Sequence, residues 1–317
     1  PSGVASSCAA PAASVVSGAP IVIEDVSLED EWRPEDYSRK FFGPTRLRKA
    51  LALSLNLVAV RLLRAITPEY AAEYMGRFGF DPQKLPKNLS LTLGTAEATP
   101  LQMASAFAVF ANGGYRIEPW FIQRVEDAKK NVLEQANPIV VCPGCTPPAS
   151  TDPAMPAPRY AEAMITPQNA ILRDTISYGT AQAANVLNRK DLAGKTGTTN
   201  DHRDAWFNGF NSELVAISWV GFDQNQPLGK GETGGRAALP MWIDYMRVVL
   251  DGVPEKPLLP PPGIVATHIN RDTGKPAAPS DPNSMLEYFI EGTVESGTDV
   301  LEGGAAPAPE GVREGLF

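Results

Sequence analysis

Within the 317 residues, Lys195-Thr196-Gly197-Thr198 is the run whose types and spacing most clearly suit chemistry. Short apolar, β-prone runs on either side of a polar turn, residues 192–198 and 205–210, predict two antiparallel strands. Asn200 and Asp201 supply the turn chemistry between Thr199 and Arg203. On such a strand Lys195 is a point cation fit to face a carboxylate. Thr196 and Thr198 lie two apart, so their hydroxyls share one face, with Lys195 and Gly197 on the other. Gly197, lacking a side chain, would let another backbone come close. Together these residues suit a strand edge that takes an extended peptide by strand addition and captures a carboxylate. A chance Lys-Thr-Gly is expected in roughly one chain in ten of this size or fewer. The tripeptide alone therefore fits an exposed turn with a solvated lysine about as well.

A second candidate pair, Ser54 and Asn56, interrupts an apolar stretch. Residues 44–66 keep a helical spacing through Leu47, Leu51, Leu57, Val58 and Leu62, with Pro44 suited to a first helical position. Two polar residues there are either tolerated helix positions or a short break that points them into a cleft. Three further helices are expected. One begins at Thr67-Pro68 and is closed by Gly79. The next is opened by a capping box of Thr99 and Gln102; apolar on nearly every face, it is expected to be buried in a large core. The third runs from Thr166-Pro167 to Tyr178. A hairpin is predicted over residues 116–135 with its turn at 128–131, a third strand over 214–222, and a closing helix over 236–250 with Leu239, Trp242, Ile243 and Met246 on one face. Helices, then strands, then a helix give an α+β fold with an antiparallel sheet covered by helices. Ile21-Val22-Ile23 reads as a short strand. A strand pair is expected in the Pro-rich tail, at residues 263–265 and 286–290.

Composition narrows the function. A hydrophobic content of 43% and a charged content of 20% belong to a globular protein with a real core. The net charge of -8 and pI near 5.0 argue against nucleic acid as partner, because no basic stripe is present to neutralise phosphates. No apolar run approaches the ~20 residues of a membrane-spanning helix. Of the three cysteines, Cys142 and Cys145 could form a redox pair, half a zinc site or a local disulfide. With one further Cys and two His in the chain, four zinc ligands are hard to assemble. A small disulfide in an oxidising compartment is preferred. His202 reads as solvated and His268, in the tail, as without a role in chemistry, Asp204 as tying down the hairpin, and Trp206, Trp219 and Trp242 as core.

Several long runs carry a family. PIVIEDVSLEDEWRPEDYSRKFFGPTRLRKALALSLNLVAVRLL, LGTAEATPLQMASAFAVFANGGYRIEPWFI, KDLAGKTGTTNDHRDAWFNGFN and ETGGRAALPMWIDYM resemble, in order, stretches of the class A penicillin-binding proteins, of the 1A type. The resemblance covers residues 13–250 and, more loosely, the tail to Thr293. It implies a penicillin-binding-protein/β-lactamase-like transpeptidase fold, incomplete at its N-terminus. Residues 1–12 are an unmatched linker or misread segment, 13–250 a partial transpeptidase domain, and 251–317 a Pro-rich extension. The implied activity is a D,D-transpeptidase that cross-links peptidoglycan stem peptides through a serine acyl-enzyme and binds β-lactams. No cofactor or metal is called for. The implied location is the periplasmic face of the bacterial inner membrane, with a membrane-anchored parent that also carries a glycosyltransferase. Class A β-lactamases lack the ANGGYRIEPW and TGGRAALPMW runs and fit less well.

Residue by residue, the resemblance implies that Ser54 relays protons at the leaving group and that Asn56 holds a substrate amide and the catalytic lysine. Lys195 would set the local potential and orient Ser54. Thr196, Gly197 and Thr198 would form the substrate-binding edge, the two hydroxyls holding the substrate carboxylate and the Thr198 N–H forming half an oxyanion hole. The family's first motif, Ser-x-x-Lys, supplies the nucleophile and its base. No lysine in these 317 residues has a serine three positions before it. Truncation, a misread first dozen residues and a true non-acylating relative all fit this, the first two together being preferred. The competing reading is a non-catalytic module that binds peptidoglycan or a partner.

Overall fold

The computed structural model describes residues 12–24, 31–142, 145, 159–161, 169–257, 260, 263–292, 294 and 300–301. Most of residues 1–12, Thr166, Pro167, Thr293 and the end of the tail lie outside them. The strands run in chain order as β1 (Val15–Ser17), β2 (Ile23–Glu24), β3 (Glu31–Trp32), β4 (Pro44–Arg46), β5 (Arg124–Glu126), β6 (Val132–Gln135), β7 (Ile139–Val140), β8 (Arg159–Tyr160), β9 (Ala193–Thr198), β10 (Asp204–Phe210), β11 (Val215–Gly221), β12 (Ile264–Asn270), β13 (Ser284–Ile290) and β14 (Val300–Leu301). The helices are α1 (Leu47–Leu53), α2 (Asn56–Ile66), α3 (Pro68–Met75), α4 (Pro100–Ala111), α5 (Asn169–Ser177) and α6 (Leu239–Val249).

At the centre is an antiparallel sheet in the order β11-β10-β9, which leaves β9 on an edge. Trp206 stands opposite Gly197, and Asn208 opposite Lys195. One face of the sheet is covered by α6, whose Leu239, Trp242, Ile243 and Met246 are buried with Ala205, Phe207 and Ala238. The sequence spacing of those four residues marks this helix face. Its start differs from expectation: Arg236 lies in a π-helical turn, Gly234–Ala238, before α6 proper. On the opposite face α4 packs its Phe107 and Phe110 rings against Phe210, 6.2 and 6.5 Å between centroids. The capping box of Thr99 and Gln102 is formed.

Four local readings are corrected. Residues 44–66 are not one helix: Pro44 lies in β4, paired with β1, and the helical run is broken at Ser54-Leu55. Helix α4 is only partly enclosed, with Ala106 and Val109 its buried residues and Leu101 exposed, because it covers the margin of the sheet. Trp219 is 39% exposed and lies tilted against Trp206, 5.8 Å between centroids, on the face that carries Phe210, while Trp242 is fully buried. His202 is half-buried rather than solvated; its ring meets Tyr37 edge-on and its Nε2 is enclosed without a hydrogen-bond partner among the described residues.

Other features follow the residues more closely. Asp204 Oδ1 accepts from Trp219 Nε1 at 2.8 Å and so ties β10 to β11. The hairpin in residues 116–135 narrows to β5 and β6 around Asp127, whose carboxylate accepts from the Lys129 and Asn131 amides. The tail's strand pair is longer than expected: β12 and β13 pair along seven residues, and their Ile269 and Phe289 bury Ala13. Cys142 and Cys145 form a disulfide with Cα atoms 5.5 Å apart. No described helix is long and apolar enough to cross a membrane.

Candidate functional site

The site lies where the helix break meets the sheet edge. Helix α1 stops at Ser54, which takes the left-handed conformation, φ 54° and ψ 52°. Its N–H bonds the Leu51 carbonyl, and Leu55 N–H reaches back to Ala50. Chain direction then changes and α2 starts at Asn56. No side chain caps α2 from its N-cap position; instead the buried Asp36 accepts from Leu57 N at 3.2 Å. This turn points the Ser54 hydroxyl at β9, where Lys195 Nζ donates to it at 2.8 Å and to the Thr196 carbonyl at 3.0 Å.

Lys195 as a whole is half-buried, while its amine lies out of water between Ser54 and the Thr196 carbonyl. Burial alone, with no carboxylate among the described residues to oppose it, pulls its pKa down from 10.5 to about 8. Near neutrality the cation is retained, but it lies close to the point of proton loss.

The two threonines of β9 are held from the other face. Thr196 Oγ1 and Thr180 Oγ1 are 2.7 Å apart, and Thr198 Oγ1 accepts from Gly234 N at 3.0 Å. Antiparallel alternation fixes which backbone groups point outward. Thr199 N bonds Asp204 O, so Gly197 and Lys195 also pair with β10, while the N–H groups of Thr198 and Thr196 face away from the sheet. The edge thus presents an outward Thr198 N–H beside two hydroxyls and one amine.

Gly197 plays a different part from the one its lack of a side chain suggests. A Cβ there would lie 3.1 Å from Trp206 Cβ, so the glycine makes room for a cross-strand tryptophan. The close backbone approach is made by Gly234, where a Cβ would stand 2.4 Å from Gly197 O and 2.3 Å from Trp206 O.

Asn56 is not brought to the lysine. Its Nδ2 donates to the Glu35 carbonyl at 2.8 Å, whereas Lys195 bonds Ser54 and Thr196. Ser54, Lys195, Thr196, Gly197 and Thr198 therefore share one locale, with Asn56 at its border on the first turn of α2.

Sequence reasoning finds the helix over residues 166–178 but not that it joins the two halves. Helix α5 and the turn after it touch both. Thr175 Oγ1 donates to Gly194 O at 2.7 Å, and Thr180 N donates to Ala52 O at 3.1 Å. Gly179 is pressed against Ala52, since a Cβ there would be 2.2 Å from the Ala52 carbonyl oxygen. The Gly179-Thr180 pair following a helix is the only local signal of this, and it reads simply as a helix stop. Among the described residues no three His, Cys, Asp or Glu side chains gather as a metal site would need.

A three-stranded antiparallel sheet between helices, with a Lys-Thr-Gly edge facing a Ser-x-Asn turn, defines a transpeptidase domain of the penicillin-binding class. The family model "Penicillin binding protein transpeptidase domain" matches residues 23–227, and the chain belongs to that family. It is 41% identical to penicillin-binding protein 1A of Pseudomonas aeruginosa over 93% of this chain and 40% of that protein. Penicillin-binding protein 1A of Escherichia coli is 35% identical, over 96% of this chain and 43% of that protein. The crystal structure of penicillin-binding protein 1A from Haemophilus influenzae superposes with a TM-score of 0.79 at 35% identity, over 88% of this chain and 45% of that one. The chain spans well under two thirds of each of these relatives. PonA1 of Mycobacterium tuberculosis, at 22% identity and a TM-score of 0.62, shares the fold.

Proposed function

We propose that the chain provides the substrate-holding part of a peptidoglycan D,D-transpeptidase: the β9 edge takes a stem peptide ending in D-Ala-D-Ala, and β-lactams enter the same groove. The observation that carries this reading is the 2.8 Å contact between Lys195 Nζ and Ser54 Oγ, made across two elements that both border the edge. Lys195 supplies the cation for the peptide carboxylate, and Thr196 and Thr198 supply hydroxyl donors to it. The outward Thr198 N–H forms half of an oxyanion hole. Ser54 passes a proton between Lys195 and the leaving group, and Asn56 holds the substrate's amide. For Asn56 to do so, its side chain must turn from Glu35, a rotation open to a half-buried amide. The reading puts the domain at the periplasmic face of the inner membrane.

An acyl-enzyme needs a nucleophile and base that these 317 residues lack as a Ser-x-x-Lys pair. The chain is therefore expected to hold D-Ala-D-Ala peptides without forming a covalent adduct. Two measurements test this. A fluorescent penicillin should leave no labelled band on a denaturing gel; a stable band would overturn the inactivity. A D-Ala-D-Ala peptide should bind and lose affinity in Lys195→Ala; equal binding by both proteins would remove the edge from its role.

A further inference from the structure

A buried ionic cluster links β13, in the tail, to the helix that ends in Ser54. Arg48, on α1, is the hub. Its Nε and Nη2 fork onto the two carboxylate oxygens of Asp174 on α5, at 2.5 and 3.1 Å. Its Nη1 donates to Glu287 Oε1 on β13 at 2.6 Å, across 239 residues of sequence. Glu287 is fully buried; its Oε1 also accepts from the Tyr288 amide, and its Oε2 faces Arg46 at 3.5 Å. Tyr178 adds a hydrogen bond from its hydroxyl to Asp174 Oδ2. Two arginines and two carboxylates balance, and every ion is paired, as charges removed from water must be. Burial by itself would lower the Arg48 pKa, but Asp174 and Glu287 outweigh it and raise the value. Arg46 has the longer contact with Glu287 and is lowered by burial.

The geometry gives this cluster a task beyond holding the tail. Ser54 is the C-cap of the short helix that carries Arg48, so the direction of α1 sets where the hydroxyl stands. Helix α5, gripped by the same guanidinium through Asp174, holds β9 through Thr175 and Gly194. Arg48 thus fixes α1 relative to α5, and through α5 relative to Lys195. Glu287 orients the third arm of the guanidinium from outside both elements. We propose that Glu287 is a positioning residue for the Ser54–Lys195 pair: the hairpin of β12 and β13 locks the Arg48 fork and thereby holds the serine against the lysine. The positioning concerns the pair itself and holds whichever ligand the edge takes.

The test reads the Lys195 amine directly. In the full chain labelled with ¹³Cε-lysine, its signal is assigned by loss in Lys195→Arg and titrated by NMR. In Glu287→Gln, withdrawal of Ser54 admits water to the amine, and the apparent pKa rises by about one unit from its starting value. Phe289→Leu is the control. It loosens the same hairpin at a buried apolar position; it should lower Tm and leave the titration where it was. An unshifted Lys195 in Glu287→Gln, or an equal shift in Phe289→Leu, would reduce the cluster to a structural staple and overturn the proposal. Should Glu287→Gln fail to fold, native-state hydrogen exchange of the unaltered chain decides. The amides of β13, Leu55 and Thr180 are expected to open in one cooperative unit. Opening of β13 with Leu55 and Thr180 still protected would refute the coupling.

Discussion

The hydroxyl of Ser54 accepts a hydrogen bond from the amine of Lys195 at 2.8 Å, although 141 residues separate the two in the chain. Each is held by a local feature that costs something. Ser54 adopts a left-handed backbone, φ 54°, where a helix stop more often has glycine. Lys195 keeps an amine in an enclosed place with no carboxylate of the described residues beside it. The two penalties meet at one hydrogen bond, which is the pattern expected where the surrounding structure over-determines a strained residue for use.

Replacing Ser54 by glycine should therefore stabilise the backbone. A non-glycine residue in the left-handed region costs about 1–2 kcal/mol. Ser54→Gly removes that strain and Ser54→Ala keeps it, while both lose the acceptor for Lys195, so Ser54→Gly is expected to be about 1 kcal/mol more stable than Ser54→Ala. Thermal unfolding of the two variants measures the difference. Ser54→Gly coming out no more stable than Ser54→Ala would show that the backbone is not strained there. Binding of a D-Ala-D-Ala peptide should weaken in both.

The buried amine makes stability depend on alkaline pH in a defined direction. The folded-state pKa of Lys195 is about 8, below the unfolded value of 10.5. Below pH 8 both states carry the proton, and folding bears the full cost of burying the cation, about 3 kcal/mol. Between pH 8 and 10.5 the unfolded chain holds more protons than the folded one, so stability rises with pH; above 10.5 the cost is gone. Other groups titrate in that range, so the quantity to measure is the difference between the wild-type chain and Lys195→Met in denaturant unfolding. That difference should shrink from pH 8 to 10.5, and parallel curves would contradict the burial. Peptide binding should run the other way, weakening above pH 8 as the cation is lost.

What the sequence made legible was local. The strand pair around Lys195, the Thr99 capping box and the apolar face of α6 each follow from residue types within a dozen positions, and the structure has all three. The sequence leaves the break at Ser54 open, because nothing in the spacing of Leu51 and Leu57 says whether the helix continues. What decides it comes from elsewhere: Thr180 donating to Ala52 O and Asp36 capping Leu57 N are contacts from 128 and 21 residues away, respectively. The φ of Pro44 suits a helix start, yet pairing with β1 takes that residue into a strand. The roles of Arg48, Asp174 and Glu287 leave no periodic trace, since three charged residues far apart in sequence look like surface until packing brings them together.

Gly179→Ala tests the joint between α1 and α5. An added Cβ would stand 2.2 Å from Ala52 O, 2.7 Å from Thr175 Cα and 2.9 Å from Ala52 C, all backbone atoms that cannot rotate away. The two elements must separate, stretching the bond from Thr180 N to Ala52 O. Overpacking of this kind costs about 1–3 kcal/mol. The same separation draws Ser54 off Lys195, so the lysine's pKa should rise above about 8 in the folded variant. A stability loss with the lysine titration unchanged would mean that the helices yield elsewhere.

Two glycines at the edge should respond unequally to the same change. At Gly234 a Cβ would meet Trp206 O, Gly197 O and Gly197 N at 2.3, 2.4 and 3.1 Å, and relief requires the π-helical turn to lift from the sheet. That movement breaks the bond from Gly234 N to Thr198 Oγ1 and leaves the hydroxyl unanchored. At Gly197 the first contact is Trp206 Cβ at 3.1 Å, and the next atoms, in the indole, lie at 3.7 and 3.8 Å, so a separation of a few tenths of an ångström between the paired residues of β9 and β10 relieves it. Gly234→Ala is accordingly expected to cost about 3 kcal/mol and Gly197→Ala about 1 kcal/mol, read as the shift in denaturant midpoint at constant slope. Peptide affinity should fall with Gly234→Ala, through Thr198, more than with Gly197→Ala. The reverse order in stability would show that the close backbone approach at this edge is made at Gly197 after all.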